Sequence, residues 1–229
     1  MTILLIDPEH PSIVENDELA RRHQAHLTRA RSCLAAISDT DCQVWSYRET
    51  SPEAVDRLGP LAVVIGGSST AWERYDFGEM TGLFDLVRIT TFPLLGICAG
   101  HQLIGRAFGS PWGPLTRSHD DGREADLAFG AERETETGYL PLAINPSCAL
   151  FAGLPSTATL YQSHYWQLTA VPPGFRLRAS TPVCRVQVIE HEQRPLFGVQ
   201  FHPERHDEKH PTGGQILQNF VDLARERTE

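Results

Sequence analysis

The run Gly96-Ile97-Cys98-Ala99-Gly100 places a cysteine between two glycines, each two residues away. A short apolar stretch passes here directly into a helical pattern, the form of a nucleophile elbow with Cys in place of Ser. The glycines let strand and helix backbones approach closely, and the turn strains and exposes the central side chain. The positive end of the helix would stabilise a thiolate. A tight turn with a buried, inert cysteine remains the plainer alternative.

A thiolate nucleophile needs a nearby imidazole that a carboxylate orients. Of the ten histidines, His202 fits best because it ends an apolar strand, where active sites of open α/β sheets collect. Glu204 lies two residues on, so in extended backbone both side chains point to the same face. In isolation, His202 would be read as a strand-end histidine before Pro203. The cysteine elbow a hundred residues upstream favours the catalytic interpretation.

The glycine-rich turn Ile65-Gly66-Gly67-Ser68 follows another apolar run. A backbone amide of this turn, together with the amide of Ala99, could form an oxyanion hole for a tetrahedral acyl intermediate. The rival interpretation is a loop that cradles phosphate. The absence of a nearby lysine and of a GxGxxG pattern ranks that interpretation lower.

The first 108 residues alternate between strand and helix patterns, which predicts a parallel sheet covered by helices on both faces. The predicted strands span residues 2–6, 43–47, 61–65 and 93–97, and the predicted helices span 19–37, 80–87 and 99–108. The helix at 19–37 has its apolar residues at steps of three and four, as an amphipathic helix does.

The second half changes character. A long loop is predicted at 110–124, then strands at 157–162, 175–178, 184–190 and 196–201, and a closing helix at 215–225. The last two strands form an antiparallel hairpin across residues 191–194. The predicted fold is therefore α/β, an open and mostly parallel sheet flanked by helices, with an antiparallel extension. We expect a single domain over residues 1–229.

Composition excludes several classes of function. The net charge of −9 argues against a nucleic-acid partner, and no apolar run is long enough for a membrane helix or signal sequence. Nineteen of the twenty basic residues are arginine, and the single lysine, Lys209, has no glycine before it. A P-loop for ATP is therefore excluded.

The cysteine pattern predicts free thiols in a cytoplasmic protein. The five cysteines are odd in number, widely spaced and without a CxxC pair, which fits neither a disulfide framework nor a zinc module. His206, Asp207 and His210 could be imagined as metal ligands, but a solvated polar turn is the favoured interpretation. No metal and no cofactor are expected.

Three separate motifs, in this order and spacing, resemble those of class I glutamine amidotransferases. They are Gly66-Gly67, residues 96–102 (GICAGHQ) and residues 199–204 (VQFHPE). The glutaminase domain of GMP synthetases is most similar, because its later His-Pro-Gly pattern and a helix with Asn-Phe recur at 210–213 and 216–220. The resemblance extends from the first strand to the last helix and implies the same fold.

By this resemblance, Cys98 attacks the side-chain amide of glutamine and becomes a γ-glutamyl thioester. His202 protonates the departing ammonia and then activates water, while Glu204 orients His202. Gly67 and Ala99 supply the oxyanion amides.

The resemblance also assigns substrate binding to Gly66, Gln102 and the backbone at Ser163-His164. Without it, Gln102 would be read as a solvated helix residue and His164 as a strand-end histidine. The chain departs from GMP synthetases at Tyr165-Trp166, where they have Gly-Asp. This departure affects the substrate pocket or the partner-signalling face.

The expected function is a free-standing glutaminase that hands ammonia to a synthetase on another chain, because the amidotransferase domain occupies all 229 residues. The substrate is L-glutamine or another γ-glutamyl amide. The alternative is a γ-glutamyl hydrolase or peptidase with the same three residues, which Tyr165-Trp166 and the loop at 110–124 favour slightly. A catalytically silent binding protein is a third hypothesis, and the intact Cys98, His202 and Glu204 argue against it.

Overall fold

The computed structural model describes residues 1–115 and 134–227. Its strands are β1 (Thr2–Asp7), β2 (Asp41–Ser46), β3 (Ala62–Ile65), β4 (Leu94–Ile97), β5 (Trp112–Pro114), β6 (Glu136–Ile144), β7 (Thr157–His164), β8 (Trp166–Leu168), β9 (Phe175–Ser180), β10 (Val188–His191) and β11 (Leu196–Val199). Its α-helices are α1 (Asp17–Ser38), α2 (Pro52–Leu58), α3 (Thr81–Ile89), α4 (Ala99–Ala107) and α5 (Thr212–Glu226).

Nine strands form one mixed sheet in the order β2-β1-β3-β4-β11-β10-β9-β6-β7. The five strands from β2 to β11 are parallel, and the strands from β11 to β7 pair antiparallel. The predicted open, mostly parallel sheet with an antiparallel extension is confirmed. Because β1, β3, β4 and β11 all run the same way, the segments that follow them meet at one edge of the sheet.

Helices cover both faces of the parallel part. The apolar residues of α1 and α5 pack on one face, and those of α2, α3 and α4 on the other. Alternate residues of each strand enter the two cores, so that Leu5 faces α1 while Leu4 and Ile6 face the opposite layer. Helix α1 begins at a side-chain cap from Asn16, whose Oδ1 accepts the amides of Glu18 and Leu19 at 3.0 Å.

The antiparallel half differs in detail from the prediction. The strand expected at 184–190 begins only at Val188, because the carbonyl of Cys184 accepts the amide of Thr181 (2.9 Å) in a turn. The hairpin of β10 and β11 is present as predicted. Strand β6 and helix α2 were not predicted.

The predicted loop at 110–124 contains a strand in its described part. Strand β5 pairs antiparallel with β8 in a separate two-stranded sheet, and residues 116–124 lie outside the described residues. No helix among the described residues combines the length and apolar character needed to cross a membrane.

Candidate active site

Cys98 occupies the sharp turn between β4 and α4. Its backbone has φ 52° and ψ −103°, and among the described non-glycine residues only Asp39 shares a positive φ. Such a conformation costs about 1–3 kcal/mol, so the surroundings must enforce it. The Cys98 amide donates to the carbonyl of Val199 on β11 at 2.8 Å, which ties the turn to the next strand. The predicted elbow is therefore present.

Two glycines allow this turn because neither position has room for a side chain. A Cβ on Gly96 would lie 2.5 Å from the carbonyl carbon and oxygen of Gly100, and a Cβ on Gly100 would lie 2.3 Å from the carbonyl oxygen of Ile65. Contacts this short are excluded by sterics. With glycine at both positions, the strand and helix backbones approach each other more closely than a side chain at either position would permit.

His202 and Glu204 come to the same edge from the adjacent strand β11. The His202 amide donates to the carbonyl of Tyr161 on β7 at 2.8 Å, and Glu204 lies in the single helical turn Pro203–Arg205. His202 Nδ1 is 2.7 Å from Glu204 Oε1, and the Cys98 side chain is near enough to the ring to raise the pKa of His202. The thiol, the imidazole and the carboxylate therefore lie together at this edge, with the imidazole hydrogen-bonded to the carboxylate.

The charges of this group support one another. Burial lowers the pKa of His202, but the Glu204 carboxylate and then Cys98 outweigh burial, so the pKa of His202 is raised. Burial raises the pKa of Glu204, and the attraction of His202 reverses this, so the Glu204 pKa is lowered. Both shifts favour an imidazolium–carboxylate pair at neutral pH.

The Gly66–Gly67 turn lies directly against this group. The Gly66 amide donates to the carbonyl of Ile6 (2.9 Å), and the Gly66 carbonyl accepts the amide of Gly100 (3.0 Å). A Cβ on Gly67 would lie 3.1 Å from His202 Cε1 and 3.7 Å from Cys98 Cβ. Within the described ranges, the amides of Gly67 and Ala99 donate to no acceptor. Two unused donors beside a thiol suit an oxyanion.

A cavity borders the thiol on the side of α4. Its lining residues come from the loop after β3, the first turn of α4 and the segment after β7: Ser68, Thr70, Trp72, Cys98, Ala99, Gln102, Ser163, His164, Tyr165 and Trp166. The Cys98 Sγ lies 3.9 Å from the carbonyl oxygen of Ser163. The predicted residues Gln102, Ser163 and His164 therefore surround one pocket with the elbow.

Gln102 is buried and its amide group is held on both sides. Its Oε1 accepts the indole N–H of Trp72 at 2.8 Å, and its Nε2 donates to the Trp166 carbonyl at 2.9 Å and to Gln200 Oε1 at 3.0 Å. The Trp166 carbonyl also accepts from His164 Nδ1 at 3.0 Å. These bonds fix the shape of the pocket wall, including the unusual Tyr165-Trp166 pair.

A second cavity, of about 100 Å³, lies on the His202 side of Gly67. Helix α1 closes it with His23, His26 and Leu27, and His202 and Glu204 form part of its inner wall. The two cavities share Ser68 and Ser163 in their walls. His202 therefore has open space on the side away from the pocket that borders the thiol.

A second buried group contains the same three residue types. Glu136, His164 and Cys184 present ligand-type atoms within 4.8 Å of one another. The Glu136 carboxylate accepts from His164 Nε2 (2.9 Å), Thr181 Oγ1 (2.6 Å) and Gln187 Nε2 (2.6 Å). Burial and then Glu136 raise the pKa of the Cys184 thiol. Hydrogen bonds within the protein thus occupy this group, and Cys184 borders neither of the two cavities.

The class I glutamine amidotransferase family model, described as "Glutamine amidotransferase class-I", matches residues 28–223. The chain belongs to this family. A class I amidotransferase relative, the glutamine-hydrolyzing GMP synthase subunit of Thermococcus kodakarensis, is 34% identical over 178 residues, which cover 77% of this chain and 83% of that protein. The subunit of the same name from Pyrococcus furiosus is also 34% identical, with the same coverage.

A solved amidotransferase-like structure agrees in fold. The crystal structure of a putative GMP synthase subunit protein from Thermoplasma acidophilum has a TM-score of 0.75 and 22% identity, and the alignment covers 100% of this chain and 96% of that one. At this identity the likeness concerns the fold alone.

Two residues at or behind the pocket that borders the thiol were not identified from the sequence. Trp72 borders the cavity and holds Gln102, and Glu136 holds His164 from the back. The available signal for Trp72 was its place shortly after the glycine turn at a strand's carboxyl end. Glu136 had no signal, because the strand that carries it was not recognised.

Proposed function

We propose that this class I amidotransferase hydrolyses L-glutamine to glutamate through a γ-glutamyl thioester on Cys98 and supplies the ammonia to a synthetase on another chain. The observation that carries the proposal is the hydrogen-bonded His202–Glu204 pair beside Cys98 at a strained elbow, next to the amides of Gly67 and Ala99, which have no acceptor among the described residues. We propose further that residues 1–229 act as one domain, since a single sheet joins strands from both halves.

In the first step the Cys98 sulfur attacks the side-chain carbonyl carbon of glutamine, and the carbonyl electrons move onto oxygen. The amides of Gly67 and Ala99 would donate to that oxyanion, which is worth most in a site shielded from water. His202 then gives its proton to the amide nitrogen, the C–N bond breaks, and ammonia leaves. Glu204 keeps the imidazole oriented and supports its charge.

In the second step water attacks the thioester while His202 takes its proton. The C–S bond breaks, glutamate leaves and the Cys98–His202 pair is restored. The sum is glutamine plus water giving glutamate plus ammonia. Gln102, Ser163 and His164 line the pocket that borders the thiol and would hold the amino acid end of the substrate there. Gly66 lines the second cavity instead, and its role in substrate binding stays a prediction.

The partner is argued from the relatives. Two proteins 34% identical to this chain are each named as one subunit of a GMP synthase, which implies a second subunit in each. These relatives favour the amidotransferase over the γ-glutamyl hydrolase that the sequence left open. A cytoplasmic location is proposed because all five thiols are free.

The proposal is tested with the purified chain and L-glutamine. Glutamate and ammonia should appear in equal amounts, and acid quenching during turnover should leave a γ-glutamyl group on the peptide that carries Cys98. Addition of an ammonia-dependent synthetase subunit of the GMP synthase type should let glutamine replace ammonia as nitrogen donor. Release of glutamate without any adduct on that peptide would contradict the thioester route.

A pH profile tests the role of Glu204. Because the Glu204 carboxylate raises the pKa of His202, the Glu204→Gln variant should lose its imidazolium at a lower pH. The alkaline limb of the kcat/KM profile is expected to move down by about one pH unit or more. Glu208→Gln, an exposed acid of the following turn, serves as the matched control. An unchanged alkaline limb in Glu204→Gln would rule out this electrostatic role.

A further inference from the structure

We propose that Glu9 is a positioning residue for the reaction, because it fixes the loop that carries the oxyanion amide of Gly67. The inference rests on the proposed function. Glu9 follows β1 at the edge of the sheet where the active site lies, and it is only 6% exposed. It lines neither cavity, so it acts through the loop and not on the substrate.

The Glu9 carboxylate gathers donors from three consecutive residues of the loop. Its Oε1 accepts from Ser68 Oγ at 3.0 Å and from the Thr70 amide at 3.1 Å, and its Oε2 accepts from the Ser69 amide at 2.6 Å. The His10 amide also donates to Oε1, at 3.0 Å. Hydrogen bonds to a charged acceptor are roughly twice as strong as neutral ones. Residues 68–70 have no regular secondary structure, and the buried Glu9 carboxylate accepts the hydrogen bonds that hold them in place.

A hydroxyl contact adds a second connection to the same segment. Tyr75 Oη lies 2.5 Å from Ser68 Oγ and 3.1 Å from the carbonyl oxygen of Pro8. Ser68 is therefore held both by Glu9 and through Tyr75, and both connections lead back to the residues directly after β1.

The charge on Glu9 is balanced from helix α1. His23 Nδ1 lies 3.7 Å from Glu9 Oε2, and His23 Nε2 lies 2.9 Å from Asp7 Oδ2. Burial lowers the pKa of His23, but its hydrogen bond to Asp7 and the two carboxylates raise it overall. A protonated His23 places a positive charge next to the buried Glu9 carboxylate. A buried carboxylate without such a partner would lower the stability of the fold.

Gly67 has no side chain that could fix its own backbone, so its position depends on the residues on either side of it. Its backbone is unusually free without a side chain, and a Cβ would lie 3.1 Å from His202 Cε1, so no larger residue fits without a shift. Residue 66, on one side, is held by Ile6 and Gly100 through backbone bonds. Glu9 holds the other side at residues 68–70. Loss of that anchor would let the Gly67 amide turn away from the reacting oxygen.

The test compares Glu9→Gln with the control Glu15→Gln. Glu15 is an exposed acid whose Oε2 lies 3.9 Å from Arg74 Nη1. Glutamine keeps the shape of Glu9 but replaces one acceptor oxygen with a donor. We expect kcat for glutamine hydrolysis to fall by about 10- to 100-fold, because removing one oxyanion donor outright costs about 10²–10³. KM should change by less than about threefold, because the oxyanion forms only in the transition state.

Hydrogen–deuterium exchange supplies a readout that does not depend on activity. The Ser69 and Thr70 amides, which donate to Glu9, should exchange faster in Glu9→Gln and at the wild-type rate in Glu15→Gln. If Glu9→Gln does not fold, Ser68→Ala removes one of the contacts and should move exchange and kcat in the same direction by less.

Three results would overturn the role of Glu9: faster exchange with unchanged kcat, a lower kcat with unchanged exchange, or an effect on KM alone. A wild-type chain that does not hydrolyse glutamine, either alone or with the synthetase subunit added, would refute the proposed function and, with it, the catalytic role of Glu9. The exchange data would still decide whether Glu9 holds the loop. The two failures are therefore distinguishable.

Discussion

Replacement of Cys98 by Ala is expected to abolish glutamine hydrolysis, with kcat falling by about 10⁴-fold or more. Without the sulfur no thioester forms, and the rest of the site offers only polarisation of the amide. The same change at Cys184 should leave kcat within about threefold of the wild type, since that thiol and its partner Glu136 are both buried. The pair of variants decides which of the two Cys–His–Glu groups does the chemistry.

Both variants are assayed for glutamate release after their thermal unfolding midpoints have been measured. Cys98→Ala should melt close to the wild type, because the side chain is small and the elbow is kept by Gly96 and Gly100. Cys184→Ala leaves a small void in the core and should lose about 1–2 kcal/mol of unfolding free energy. Activity that survives in Cys98→Ala but is lost in Cys184→Ala would reassign the nucleophile.

The second large effect is on folding. Gly100→Ala would bring a Cβ within 2.3 Å of the Ile65 carbonyl oxygen and within 2.9 Å of the Ile65 carbonyl carbon and Cβ. These are mainly backbone atoms of the central strand β3, so no side chain can rotate away. We expect a loss of about 4 kcal/mol or more in unfolding free energy, a fall in Tm of about 10 °C, or failure to fold.

Gly113→Ala is the matched control for this prediction. Gly113 lies in β5, has no positive φ, and a Cβ there would have no described neighbour within 4 Å. Its unfolding free energy should change by less than about 1 kcal/mol. Thermal or urea unfolding measures both variants. A Gly100→Ala protein that melts within a few degrees of the wild type would show that β3 and α4 can separate at little cost.

The elbow could be predicted because all of its information is local. A buried strand, two glycines and a helical pattern lie within residues 94–107, and His202 comes shortly after the end of another apolar strand, β11. Parallel pairing then follows from alternation of strands and helices. The sheet edge brings together Gly67, Cys98 and His202, which are distant in sequence, as that topology requires.

Glu136, which holds the pocket residue His164 from behind, depends on contacts that no local pattern carries. Glu136 reaches His164 across 28 residues, and it lies on a strand whose Gly138 and Pro141 are poor strand formers. Pairing with β7 overrides that preference. The start of helix α2, by contrast, is indicated in the sequence, because Ser51 caps the helix and Pro52 lies in its first turn. The helix is only seven residues long, which is too short to give a clear helical pattern of apolar residues.

The burial of the other cysteines has a practical consequence for enzymology. Burial is the main cause that raises the pKa of Cys33 and Cys42 to about 11 and that of Cys148 to about 12, and the pKa of Cys184 is also raised. At neutral pH these thiols are almost entirely protonated and react slowly with alkylating agents. A small excess of iodoacetamide, applied briefly, should therefore modify about one thiol per chain, at Cys98. Active-site titration then gives the fraction of competent molecules in any preparation, so turnover can be stated per working site.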